Sequence, residues 1–170
     1  MATVRILLGF VCIAFMGSSW GAERNIIALH KVVEVAQKEI GVQEIAENSG
    51  LRVDQYNAYV GLKKVPWCAS FVSWCFGQVG YSQPRTAWSP SLFPSRRIVR
   101  EPVRGMVLGI YFPELKRIAH CGLVEQVKND LIYTIEGNTN INGSREGTGV
   151  FRRLRHKRSI HRFADWTQEK

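Results

Sequence analysis

The stretch Val65–Phe76, VPWCASFVSWCF, decides how the chain is read. After Pro66 and Trp67, the apolar residues Phe71, Val72, Cys75, Phe76 and Val79 fall on one helical face, with Cys68 a turn earlier. Gly80 is placed to end this helix, and Pro84 lies beyond it. A thiol at a helix start has two readings. It is a packed core residue, or a nucleophile whose thiolate is favoured by the unpaired N–H groups and dipole of the helix N-terminus. The same N–H groups are suited to receive an oxyanion.

On the N-terminal side, ALHKVVEVAQKEI (residues 28–40) sets Ala28, Val32, Val35, Ala36 and Ile40 on one face, which predicts an amphipathic helix stopped by Gly41. VDQYNAYV predicts a shorter helical piece. On the C-terminal side, residues 81–103 read as a loop punctuated by Pro84, Pro90, Pro94 and Pro102. After Gly105 the pattern turns to β, with strands expected in MVLGIYF, HCGLVEQV, LIYTIEGNT and GVFRRLRHK, and a shorter one in SIHRFADW. Helices first and strands afterwards predict an α+β fold, with N-terminal helices packed on a small antiparallel sheet.

The N-terminus carries a different message. MATVR has one positive charge, ILLGFVCIAFM is an apolar run, and GSSWGA offers small residues for cleavage, the three-part layout of a secretory signal. The run is too short to span a bilayer, which takes about 20 apolar residues. With residues 1–21 read as an export signal cut before Ala22, residues 22–170 form a single domain of 149 residues. Losing Arg5 takes the formal charge from +9 to +8. A basic exported chain is drawn to anionic surfaces, and charge alone does not choose among wall polymers, lipid headgroups and nucleic acid. Three cysteines remain without Cys12, an odd number that leaves at least one thiol free or paired between molecules. Cys75 and Cys121 either pair with each other or are two small buried hydrophobes.

If Cys68 is a nucleophile, it needs a base and a group to orient that base. Of four histidines, His30 reads as helix surface, while His156 and His161 sit among arginines. His120 opens the expected strand HCGLVEQV, where it is either a rigid imidazole at a sheet rim or a solvated strand end. In TIEGNTN, strand alternation places Thr134, Glu136 and Asn138 on one face, so Glu136 or Asn138 could orient the imidazole. Gly137 between them suggests a bulge. Trp67, beside Cys68, is expected to line a substrate groove, and Trp74 to lie in the core. The run FRRLRHKR reads as a solvated basic edge strand.

PWCASFVSWCF, HCGLVEQV and LIYTIEGNTN, in that order, resemble the CHAP family (cysteine, histidine-dependent amidohydrolase/peptidase). These are papain-like hydrolases of bacterial cell-wall peptides. The similarity extends through EIGVQEIAENSGLRVDQY and GVFRRLRHKRSIHRFADW, so it covers nearly all of residues 22–170. The resemblance implies a papain-like fold with Cys68, His120, Glu136 and Asn138 as catalytic residues, peptidoglycan as substrate and partner, and either a stem-peptide or a muramoyl–alanine amide bond as the target. Two features depart from the family. Gly105 is followed by Met106 where many members have Gly-Asp, and Asp54 stands alone where some carry a calcium site. No metal and no cofactor are therefore expected, and the seven-residue step from Cys68 to Cys75 does not match structural zinc spacing. A monomer with neither nucleic-acid binding nor a membrane span after residue 21 is expected. The competing readings are a catalytically silent wall-binding domain and a cysteine amidase or transferase acting on a non-wall amide.

Overall fold

The computed structural model describes residues 16–140 and 147–168. Residues 1–15 of the expected export signal lie outside the described residues, as does most of the loop NINGSR. Helix α1 spans Met16–Lys38, α2 spans Leu51–Tyr59 and α3 spans Cys68–Gln78. Among the described residues, no helix is long and apolar enough to cross a membrane.

The fold is α+β. Strands β1 (Ile98–Val99), β2 (Val107–Phe112), β3 (Arg117–Lys128), β4 (Leu131–Thr139), β5 (Gly149–His156) and β6 (Arg162–Ala164) form one sheet in the order β1-β6-β2-β3-β4-β5. Every pairing is antiparallel. β1 lies inside the stretch expected to be loop, because a two-residue strand leaves no alternation to detect. β3 starts three residues before the expected position, so His120 is its fourth residue rather than its first. The preceding turn is tight, with Lys116 in the left-handed region at φ 51°, and the strand resumes at once.

α3 is the central helix. Every residue from Cys68 to Phe76 is buried, which is why its sequence is apolar nearly all round. Phe71 N–H donates to the Trp67 carbonyl at 2.8 Å, which sets the first turn directly after Pro66. Gly80, at φ +92°, closes the far end, where Tyr81 N–H donates to the Phe76 carbonyl at 3.1 Å. α3 packs on one face of β3 and β4, where Phe71, Val72, Cys75 and Phe76 meet Leu123 and Ile135, with α1 and α2 around it. Each of those large side chains contributes about 1.5–3 kcal/mol by leaving water. A second cluster holds Leu108, Val124, Ile132 and Phe163. Gly137 lets helix and sheet approach closely, since a Cβ there would lie 2.8 Å from the Trp67 ring and 2.9 Å from Phe71. That contact holds the first turn of α3 against the end of β4.

Candidate active site

The start of α3 sets the Cys68 thiol against the 3₁₀ turn Ser89–Leu92 and the first half of β3. Cys68 is 4% exposed, and its sulfur lies 3.4 Å from Ser89 Oγ. Contacts from Cys121, then His120 and Ser89, outweigh burial and hold the Cys68 thiol well below its ordinary pKa. Cys121 moves the other way. Its burial and the neighbouring Cys68 sulfur keep it a protonated thiol, able to donate toward a Cys68 thiolate. Ideal alternation would send His120 and Cys121 to opposite sides of β3. Both nevertheless influence Cys68, because the β2–β3 register shifts at this point: Ile110 pairs with His120 and Tyr111 with Ile118, leaving Ala119 as an extra residue.

His120 is buried, with Nε2 2.8 Å from Glu136 Oε2. Burial alone would lower its pKa, but the contacts to Cys68 and Glu136 raise it to about 9. Its Nδ1 is also buried and has no hydrogen-bond partner among the described residues, so it is the nitrogen left for the thiol. Glu136 is fully enclosed and accepts four hydrogen bonds. Besides His120, Arg155 Nε and Nη2 each donate at 2.5 Å, and Thr134 Oγ1 donates at 2.6 Å. Burial would raise the carboxyl, but Arg155 and His120 together lower it to about 2. An ionised carboxylate only accepts, so Nε2 carries a proton and points it at Glu136. Gly122 leaves the room required: a Cβ there would lie 2.5 Å from Glu136 Cγ.

Several sequence expectations are corrected here. Thr134 and Glu136 do share a face, but the β4–β5 register shifts between Glu136 and Thr139, and Asn138 turns left-handed at φ 54°. Asn138 borders a separate hollow of about 420 Å³ with Glu44, Glu47 and Pro66, and it is Glu136 that bonds the imidazole. Trp67 does not line a groove. It is fully buried, its ring is 5.5 Å from that of Tyr56, and its indole N–H donates to Glu44 at 2.5 Å. The aromatic residue that borders the approach to Cys68 is Trp88, which is 52% exposed. FRRLRHKR is an edge strand, but not a uniformly solvated one. Arg155 turns inward to Glu136, and Arg152 holds Glu125 at 2.8 Å. Cys75 and Cys121 form no disulfide: with Cys68, they are buried free thiols.

His30 is exposed, His156 accepts from the Arg158 N–H, and His161 packs on Tyr111 with its pKa lowered by partial burial and Arg162. No group of three or more His, Cys, Asp or Glu suited to a metal ion occurs among the described residues. Sequence reasoning missed Ser89, Arg155 and Trp88. For Arg155 a faint signal existed, since a buried Glu136 requires a cationic partner. A cleft of about 480 Å³ ends on Cys68 and Ser89, between Leu62, Pro66, Trp88 and Arg117.

The site is thus a helix-start thiol facing a buried His–Glu–Arg chain in an α+β protein. No family model matches the sequence, and no curated protein matches it. Among solved structures, the crystal structure of Ly7917 with the hydrolyzing product of MDP is similar at a TM-score of 0.48 and 11% identity. The likeness covers 81% of this chain and 62% of that one, so this chain spans less than two thirds of its length.

Proposed function

We propose that the protein is an exported single-domain cysteine hydrolase that cleaves a peptide or amide bond of peptidoglycan through an acyl-enzyme on Cys68. The observation that carries the reading is the Cys68 thiol at the helix start, lowered in pKa, beside a His120 whose far nitrogen is fixed on an ionised Glu136. Peptidoglycan as the substrate rests on the resemblance of the cysteine, HCGLVEQV and TIEGNTN segments to the CHAP family. Export rests on the N-terminal signal pattern.

In the resting state Cys68 is a thiolate and His120 an imidazolium. Sulfur attacks the scissile carbonyl carbon, and the N–H groups of the first turn of α3 receive the oxyanion. As the tetrahedral intermediate collapses, His120 gives its proton to the leaving nitrogen and the C–N bond breaks, leaving a thioester. His120, now neutral, takes a proton from water, and hydroxide adds to the thioester carbon. The carboxylic acid product departs as the Cys68–carbon bond breaks, and the thiolate and imidazolium are restored. Glu136 gains no proton at any step, because Arg155 holds it ionised; it keeps the ring aligned and stabilises its charge.

The test is digestion of purified peptidoglycan by the wild-type protein and by Cys68→Ala, with products read by mass spectrometry. New muropeptides from the wild type alone are expected, and their masses name the bond. Identical profiles from both proteins across walls of several chemotypes would sink the reading and favour a wall-binding domain. Amide products without added water would favour transfer over hydrolysis.

A further inference from the structure

The cleft that ends on Cys68 is walled mainly by apolar groups, among them Val60, Leu62, Val65 and Pro66. Its charged residues are two arginines, Arg85 and Arg117, and no acidic residue lines it. Each guanidinium is held by an aromatic ring and a carbonyl. Arg117 lies 4.2 Å from the Trp88 ring centroid, with Nη1 donating to the Ile118 carbonyl at 3.2 Å. Arg85 lies 4.9 Å from the Tyr59 centroid, with Nε donating to the Tyr59 carbonyl at 2.7 Å. Among the described residues, neither forms an ion pair. Elsewhere Arg52 pairs with Glu39, Arg152 with Glu125 and Arg155 with Glu136, while Arg97, on the Trp166 ring and the Gln168 carbonyl, is held as the two cleft arginines are.

A ring and a carbonyl orient a guanidinium without neutralising it. The result is a planar donor pair, pre-positioned in a mostly apolar recess and lacking an anion. A guanidinium presents two parallel N–H groups that match the two oxygens of a carboxylate. Both cations are also tied to the reacting groups by the chain. Arg117 lies three residues before His120 on β3, and Arg85 and Trp88 lie on the segment that delivers Ser89.

Building on Cys68 as the nucleophile, we propose that this cleft selects substrates whose cleft-filling part carries a free carboxylate, with Arg117 as the principal receptor and Arg85 as the second. The substrate class narrows from amides in general to acidic peptides. A neutral, amidated counterpart fills the same space and leaves both cations unpaired, so it reacts more slowly.

Alkylation of Cys68 tests this without knowledge of the natural substrate. Iodoacetate and iodoacetamide differ in charge and little in size. Their rate ratio on the full-length protein, divided by the ratio for free cysteine, reports anion attraction in the cleft. We expect a normalised ratio of about tenfold or more at low salt, shrinking at high salt as screening sets in. Arg117→Gln should cut it at least about threefold, Arg117→Lys should retain most of it, and Arg85→Gln with Arg117→Gln should bring it close to the residual pull of His120. Because each variant's iodoacetamide rate is the denominator, a changed thiol reactivity cancels. A matched pair of peptide substrates, free acid and amide, should show the same ranking in kcat/KM. Cys68 labelling with a ratio untouched by both arginine substitutions would overturn the inference and leave the nucleophile in place. Failure of Cys68 to react with either reagent would instead remove the nucleophile reading, and the inference with it.

Discussion

Cys68 and Cys75 lie two turns apart on one helix, and both are buried, yet their thiols are driven in opposite directions. Cys75 is enclosed by the helical core, where burial and then the Glu39 carboxylate push it well above the ordinary thiol range. Glu39 is already engaged, accepting from Tyr56 at 2.6 Å and from Arg52 at 2.9 Å, and it offers Cys75 only negative charge. Cys68 is also buried, at the end of the cleft, but it meets a helix N-terminus, two donors and an imidazole backed by a carboxylate. Burial by itself makes a thiol inert, and the charges fixed around the sulfur decide whether it becomes a nucleophile.

Substituting the two cysteines is the strongest way to break this contrast. Cys68→Ala should reduce turnover by about 10⁴-fold or more with little change in stability, while Cys75→Ala should keep turnover and cost about 1–2 kcal/mol. Hydrolysis kinetics and denaturant titration measure the two halves. Comparable losses of activity from both would show that α3 acts only as a core helix.

Next in size is the carboxylate behind the imidazole. Glu136→Gln should lower kcat/KM by about 10²–10⁴-fold. It should also move the alkaline limb of the pH profile below the wild-type position near pH 9, since removing the negative charge eases loss of the His120 proton. Asn138→Ala is the sharpening control, expected to change the rate by no more than about threefold, because the imidazole is bonded to Glu136 while Asn138 borders a different hollow. A larger effect from Asn138 than from Glu136 would reverse the assignment of the orienting residue.

The His120–Glu136 pair should also write a pH signature on stability. Glu136 is lowered from 4.5 to about 2, so its contribution is present above pH 4.5 and is lost as pH falls toward 2. His120 is raised from 6.5 to about 9, so its contribution is complete below pH 6.5 and is lost as pH rises through 9. Wild-type stability should therefore peak between about pH 4.5 and 6.5 on this account, and both slopes should flatten in Glu136→Gln. Thermal unfolding from pH 2 to 10 measures it. Equal slopes in both proteins would show that other groups dominate.

The smallest effects separate the two tryptophans. Trp88→Ala should raise KM a few fold through loss of a cleft wall and of the support for Arg117, with stability nearly unchanged. Trp67→Phe should leave KM alone and cost about 1–2 kcal/mol, because Glu44 loses its indole donor. Steady-state kinetics alongside denaturant midpoints would tell them apart.

Much of the architecture was legible because it follows from local periodicity. The apolar face of α3 with its stop at Gly80, and the alternation in LIYTIEGNT, are each written within about a dozen consecutive residues. β1 was not legible, because two residues carry no period, and the start of β3 was misplaced because the charged run through Lys116 continues into the strand at Arg117. Within the site, the thiol, the imidazole and Glu136 could be proposed from residue type and element. The choice between Glu136 and Asn138 could not, because it depends on a register shift that alternation does not foresee.

The sequence by itself thus determined most of the elements, the α+β class and the position of a cysteine at a helix start, since each depends on contacts between near neighbours in the chain. Only the tertiary structure decided which histidine nitrogen is bonded to Glu136, that Arg155 turns inward from an edge strand, and that Trp88 rather than Trp67 borders the cleft. Those outcomes are settled by burial and charge among groups that lie up to 87 residues apart, from Cys68 to Arg155, where a change of one residue in register moves a side chain to the other side of the sheet.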